Sequence, residues 1–298
     1  MQIFRHVNKL PHGHSSDTIQ DGCLVLEGGA WRGIYTQGAL DALMKAGINF
    51  QTVIGVSAGA VSGIGYMSGN IGLSGRINLT YRHDPRYCGA GAFFSDHGIT
   101  GFSYLFNTIL PTMDFDVDRF NDPHRRFVVV ATNCLTGEAT YFERGKCQIF
   151  KAIQASATVP YVSKPVMIRG IPYLDGGIAE KVPYDWALQQ NFDHIVVIRT
   201  RDKDFRRDDK DPGAFSHLLY HDYPNLLEDM AATRDRYNNM CDKLENDCRR
   251  GRSFALYPSE PIHMKRFEGD MDLLAHYYSL GFHDMKNALP ALKSYLGQ

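Results

Sequence analysis

Ser57 lies at the centre of Gly55-Val-Ser-Ala-Gly59, a G-x-S-x-G sequence. A serine hydroxyl in such a setting serves acyl transfer when the backbone turns sharply enough to expose it as a nucleophile. The residues two before and two after the serine must then be small, and Gly55 and Gly59 meet that need. The pattern alone carries little weight in a chain with 28 glycines. Its surroundings add to it. Thr52-Val-Ile-Gly-Val56 reads as a buried strand, and the small residues from Ala58 to about Met67 read as a helix. A serine at that junction has unpaired N–H groups, Ala58 among them, and the positive end of a helix dipole beside a developing oxyanion.

Two more segments have chemical potential. Glu27-Gly-Gly-Ala-Trp-Arg-Gly33 is a glycine-rich turn after a short apolar run, Cys23-Leu-Val-Leu26. Adjacent glycines let backbone N–H groups approach a substrate carbonyl, and a preorganised donor of that kind is worth about 3 kcal/mol. Gly28, Gly29, Ala30 and Gly33 are the candidate donors, with Arg32 adding charge near that site or near a substrate phosphate. The same residues also suit a plain tight turn. They do not suit a nucleotide loop, since the G-x-G-x-x-G and Walker spacings are absent. Asp175-Gly176-Gly177 follows an apolar run and reads either as a simple turn or as a carboxylate presented to act as base.

The elements needed to place these groups follow from the pattern. A helix spans Ile34 to Ala46, so two strand–turn–helix units stand in succession, which implies a parallel α/β sheet with right-handed crossovers. Arg126 to Thr132 is a strand with a hairpin partner at Glu138 to Phe142, and Lys151 to Ala157 is a short helix stopped by Pro160. Val166 to Leu174 is a hairpin that delivers Asp175, then come a helix from Pro183 and a strand over His194 to Arg199. Beyond an alternating charge run at Arg201 to Asp211, residues 214 to 249 read as helical and Ser253 to Tyr257 as a strand. Two helices follow, about Asp270 to Leu280 and Asp284 to Tyr295. The expected domains are a polar, floppy arm over residues 1–21, a catalytic unit over 22–200 and a mostly helical extension over 201–298 packed on it.

Composition narrows the class. The formal charge of −1 gives no global field for nucleic acid or an anionic bilayer, so nucleic-acid binding is not expected and any lipid contact must come from local apolar surface. No segment approaches the roughly 20 apolar residues of a membrane span, and the first twenty residues lack the apolar core of a secretory signal. The six scattered cysteines then read as free thiols in a reducing cytoplasm. His12-Gly-His14 and the pair Cys241 and Cys248 lack further ligands at useful spacing, so no metal and no cofactor is expected.

Taken together, the glycine loop, the G-x-S-x-G turn and Asp175-Gly-Gly177, in that order, resemble the patatin-like phospholipase family. Ala155-Ser-Ala-Thr-Val-Pro160 is similar to that family's small-residue helix ending in proline, and the resemblance covers about residues 22 to 190. It implies a three-layer α/β sandwich, with a mostly parallel central sheet and helices on both faces, plus a helical C-terminal extension. It also implies a catalytic dyad. Asp175 takes the Ser57 proton, Ser57 attacks a lipid or phospholipid carboxyl ester, and the loop N–H groups hold the oxyanion. Glu27 and Ala30 depart from the family pattern, which usually has aspartate and glycine there.

Two rivals stand beside this reading. One is an α/β-hydrolase whose triad would draw on His194, His217, His221, His263, His276 or His283. The other is a non-catalytic lipid- or partner-binding module on the same scaffold. Phe93, Phe94, Phe102, Tyr104, Leu105 and Phe106 lie among glycines. They suggest either a mobile apolar cap over residues 93–106 that takes an acyl chain or touches a membrane surface, or an ordinary helix with a core face.

Overall fold

The computed structural model describes residues 4–208 and 213–298. Its strands are β1 (Gly13–His14), β2 (Gln20–Leu26), β3 (Phe50–Val56), β4 (Asn70–Ile71), β5 (Arg126–Asn133), β6 (Ala139–Glu143), β7 (Val166–Ile168), β8 (Ile171–Asp175), β9 (Ile195–Ile198) and β10 (Phe254–Leu256). Eight of them form one sheet in the order β10-β9-β2-β3-β5-β8-β7, with β6 pairing β5 off that path. The pairings from β10 to β5 are parallel, whereas β8, β7 and β6 join antiparallel.

The central strands are apolar on both faces, as a parallel sheet covered on both sides requires. Leu24, Leu26, Val53, Phe127 and Val129 face one helical layer, which includes α1 (Gly33–Lys45) and α2 (Ala58–Met67). Cys23, Val25, Ile54, Val56, Val128 and Val130 face the opposite layer. In chain order the other α-helices of six or more residues are α3 (Leu73–Tyr81), α4 (Ala90–Asp96), α5 (Ile149–Ser156), α6 (Tyr184–Gln189), α7 (Ala214–Leu219), α8 (Pro224–Arg249) and α9 (Met271–Tyr295). Trp186 and Ala187 of α6, with Tyr237, Met240, Cys241 and Leu244 of α8, cover the second face. β10 closes the sheet edge beside β9, so the C-terminal third contributes to the central layer as well as to the helices.

Three expectations need correction. The two helices expected in the tail are one, α9, which runs through Pro290. Gly281, in the gap left between the two expected helices, marks where α9 crosses α1. A Cβ there would overlap the Tyr35 carbonyl oxygen, and one at Gly38 would overlap that of Tyr278. This reciprocal pair lets two backbones touch. Second, the described part of the N-terminal arm is tied to the core. β1 pairs with β4, the Asn49 amide donates to the Ser16 and Thr18 carbonyls, and the Arg119 guanidinium donates to the Ser15 carbonyl. Third, residues 93–106 are not one unit. Phe93 and Phe94 on α4 are 54% and 83% exposed, whereas Phe102 and Leu105 are buried at the start of a helical run over residues 102–112. Phe106 packs on Phe150, with ring centroids 4.8 Å apart. Phe102 and Leu105 thus join the core and also line a cavity at Ser57.

All six cysteines are free. No helix of the described residues is long and apolar enough to cross a membrane. Among those residues, no group of three or more His, Cys, Asp or Glu side chains is placed to hold a metal ion.

Candidate active site

Ser57 follows β3 directly and adopts φ 53° and ψ −121°. Such backbone costs a non-glycine residue about 1–3 kcal/mol and persists only where its surroundings impose it. Here they do. A Cβ at Gly55 would sit 2.7 Å from the Ala60 nitrogen, and one at Gly59 would sit 2.5 Å from the Leu26 carbonyl oxygen. Both elbow positions therefore admit glycine alone. The Ser57 N–H donates to the Ser156 hydroxyl at 2.8 Å, which ties the elbow to α5.

Asp175 ends β8 opposite Ala131 of β5, so sheet pairing carries it to the C-terminal edge of the parallel strands beside Ser57. The Ser57 hydroxyl donates to its Oδ2 at 2.6 Å. Its Oδ1 accepts the Gly177 N–H at 2.8 Å, which fixes the carboxylate plane. The Thr132 hydroxyl donates to the Asp175 carbonyl, and the Asp175 N–H donates to that of Thr158. Burial raises the Asp175 pKa above the usual carboxylate range, opposed by the Ser57 bond, the Gly177 N–H and the charge of Lys181. A costlier anion is a better base. A Cβ at Gly176 would collide with the Val130 carbonyl, so this position also needs glycine.

The glycine loop lies over the elbow. A Cβ added at Gly28 would be 3.2 Å from the Ser57 Cβ. Two of the expected oxyanion donors are nevertheless already engaged. The Gly28 N–H donates to the Lys181 carbonyl at 3.0 Å, and the Gly33 N–H donates to the Ala30 and Trp31 carbonyls, closing the short turn before α1. Gly29, Ala30 and Ala58 keep N–H groups with no acceptor among the described residues. Ala30 holds φ at 48°, the left-handed region in which glycine is the ordinary choice, so its departure from glycine has a strain cost.

Glu27 anchors the loop from below and is fully buried. Its carboxylate accepts from Arg199 Nε at 3.1 Å, the Tyr237 hydroxyl at 2.8 Å and the Thr200 N–H. Burial alone would raise its pKa, but Arg199 and these donors hold it below the usual range. The Arg32 Nε is buried without a partner, and burial lowers the Arg32 pKa to about 10.

Two cavities meet at Ser57. One, about 270 Å³, is lined by Asp175, Tyr161, Met230 and the cations Arg32, Lys181 and Arg266. The other, about 90 Å³, is lined by Trp31, Ile34, Val61, Phe102 and Leu105. None of the described histidines lines either cavity, and Ser57 meets Asp175 without an intermediary. His276 instead pairs with Glu260, and His194 packs edge-on against Tyr295. The triad reading has no histidine to use.

The patatin-like phospholipase family model matches residues 24–188. The chain belongs to the patatin-like phospholipase family. A second match, a domain of unknown function designated DUF6363, covers residues 223–297 and so takes in α8, β10 and α9. YjjU, an uncharacterized protein of Escherichia coli (strain K12), is 27% identical over 270 residues, which are 87% of this chain and 74% of that one. The probable lipid hydrolase 463L of Invertebrate iridescent virus 6 is 28% identical over 68% of this chain and 79% of its own. Among solved structures, VipD from Legionella pneumophila superposes with a TM-score of 0.50 at 12% identity, over 95% of this chain and 70% of that one, a likeness of fold.

Sequence reasoning missed several residues of this patatin-like site. Ser156 lay inside the small-residue stretch similar to the family's, but nothing indicated that its hydroxyl would hold the elbow. Thr132, Lys181 and Arg266 had no local signal at all. They reach the site from β5, from the segment after the Asp175 turn and from the segment between β10 and α9.

Proposed function

We propose that this chain is a serine acyl hydrolase that cleaves carboxyl esters of lipids or phospholipids through the Ser57–Asp175 dyad. The observation that carries the reading is the 2.6 Å bond from the Ser57 hydroxyl to Asp175, made on a strained elbow beside unengaged backbone donors. In acylation, Asp175 accepts the hydroxyl proton as Ser57 Oγ attacks the ester carbonyl, and the oxyanion takes hydrogen bonds from Gly29, Ala30 and Ala58. The tetrahedral intermediate collapses, the alcohol leaves with the proton, and Ser57 holds the acyl group. Water then attacks with Asp175 again as base and restores both residues. Family membership and the likeness to a probable viral lipid hydrolase support a lipid ester as substrate.

Contact with a lipid surface belongs to the same reading. Phe93 and Phe94 are exposed on α4, the following His97 carbonyl accepts the Lys164 N–H, and Tyr161 packs on exposed Phe215. Tyr161 also lines the larger cavity, so exposed Phe215 stands beside the cleft.

The test is labelling with a fluorophosphonate probe, with p-nitrophenyl ester turnover measured in parallel. Ser57→Ala should abolish labelling and lower turnover at least about 10³-fold, and Asp175→Asn should lower turnover to a similar degree. Equal labelling and turnover in all three proteins would remove the dyad. A folded wild type that neither labels nor hydrolyses would favour a binding module on this scaffold.

A further inference from the structure

The two cavities that meet at Ser57 differ in chemistry, and the difference bears on which ester the site takes. The larger one gathers Arg32, Lys181 and Arg266 from three distant segments, and Arg207 also reaches its wall. Asp175 is the one carboxylate lining it among the described residues. No ion pair of the described residues uses Arg32, Lys181 or Arg266, and the Arg32 Nε is buried without an acceptor. The whole chain carries a formal charge of −1, so this positive cluster is a local arrangement and not a general excess.

Like charges packed together in a partly dry cleft oppose one another and favour an anion between them. The titration of the cluster agrees with that strain. Burial and then the charge of Arg32 bring the Lys181 pKa down to about 8, and burial, Arg201 and lastly Arg266 lower that of Arg32, with buried Glu27 acting the other way on both. The smaller cavity is lined mainly by Trp31, Ile34, Val61, Phe102 and Leu105, a surface for a hydrocarbon chain, and Arg266 stands at the boundary of the two cavities and lines both. A substrate whose carbonyl sits on Ser57 therefore extends an apolar arm one way and an anionic arm the other.

We propose that Arg32, Lys181 and Arg266 form a phosphate subsite that directs the enzyme to acyl esters carrying a phosphate without a fixed positive charge, in preference to phosphocholine esters and neutral acylglycerols. The proposal rests on the hydrolase reading above and specifies its substrate. A quaternary ammonium would be repelled by the same cations that attract the phosphate. A monoester phosphate, with up to two charges, gains most from them.

The experiment uses three lipids with one oleoyl chain, namely lysophosphatidate, lysophosphatidylcholine and monooleoylglycerol, in mixed micelles at a fixed mole fraction. The wild type should favour lysophosphatidate in kcat/KM by about tenfold or more over each of the others, the worth of one charge-assisted contact. That ratio should fall about tenfold in Lys181→Met and in Arg266→Ala, chiefly through KM; Arg266 is exposed, so its variant stays folded. Equal hydrolysis of all three lipids by wild type would overturn the subsite while leaving the hydrolase intact. A uniform fall in kcat for every lipid would also overturn it, because the cations would then serve only to tune Asp175.

A binding arm separates the subsite from the hydrolase. Dodecyl phosphate should bind Ser57→Ala by calorimetry and bind at least about tenfold more weakly once Lys181→Met is added. Such binding in a protein that hydrolyses none of the lipids would keep the subsite and sink the hydrolase. Inorganic phosphate binding as tightly as dodecyl phosphate would mark a free-anion site and overturn the lipid assignment.

Discussion

Replacing Glu27 with Gln tests the idea that a buried ion pair holds the glycine loop in place. Glu27 and Arg199 are 0% and 1% exposed in their side chains, and Arg199 also donates to the Tyr237 hydroxyl and the Cys241 sulfur. The substitution preserves shape and leaves an oxygen to accept the Thr200 N–H, so the loss is mainly the charge opposite Arg199. Removing one partner of a buried pair costs about 3–5 kcal/mol, and the retained shape points to the lower end. For a domain of this size about 3 kcal/mol corresponds to a fall in Tm of roughly 5–10 °C. Met at position 199 as well as Gln at 27 should recover much of that fall, because no buried charge is then left alone. The donors at Gly29 and Ala30 follow Glu27 directly, so kcat on a p-nitrophenyl ester should also drop. Its floor is the roughly 10²–10³-fold cost of losing one oxyanion donor. The pair holds the Glu27 pKa below its ordinary value, so its contribution is complete above about pH 4.3 and is lost as pH falls through the folded value. The gap between Glu27→Gln and wild type should therefore be full at pH 7 and narrow only in acid. A single variant that melts with wild type at pH 7, or a double variant no more stable than the single, would refute the reasoning.

Three further outcomes follow from the same structure. Burial raises the Asp175 pKa, so its contribution to stability is present below about pH 3.9 and is lost as pH rises through the folded value. Asp175→Asn should therefore melt above wild type at pH 7–8 while turnover collapses, and the acid limb of wild-type kcat/KM should lie above the ordinary carboxylate range. Asp41, buried between Tyr278 and the Gly72 N–H, has its pKa pushed up to about 7. Wild type should lose Tm between pH 6 and 8 more steeply than Asp41→Asn, and parallel melting curves across that window would contradict this. Gly281→Ala pushes a methyl into the α1 backbone and should cost at least about 1–3 kcal/mol of stability, read as a lower urea midpoint, whereas an unchanged midpoint would show that α9 shifts freely.

Much of the catalytic layer was legible because its signals are local. The strands at β2, β3, β5 and β9 are short apolar runs bounded by turns, and the elbow is a five-residue pattern in which Gly55 is demanded by a contact within the turn itself and Gly59 by the neighbouring end of β2. The tail was less legible. Gly281 has the type of a helix stop and serves as a helix crossing, because the deciding contact, with Tyr35, is some 240 residues away in sequence. The backbone donors of the glycine loop were legible as a set and not individually, since only the carbonyl of Lys181 reveals that Gly28 is already engaged.

The sequence by itself determined which groups can react and what backbone they need: a serine between two glycines, an aspartate before two glycines, a glycine-rich turn and the alternating apolar strands that carry them. These are properties of residue type and near spacing, which steric and hydrogen-bonding rules convert directly into local form. The tertiary structure alone decided their company. Pairing of β8 with β5 brings Asp175 to Ser57 across 118 positions, and Glu27 meets Arg199 and Tyr237 across 172 and 210. Arg32, Lys181 and Arg266 come together only because the sheet edge collects loops from separate crossovers. Electrostatic and packing energies depend on distance in space, and no short stretch of sequence records that distance.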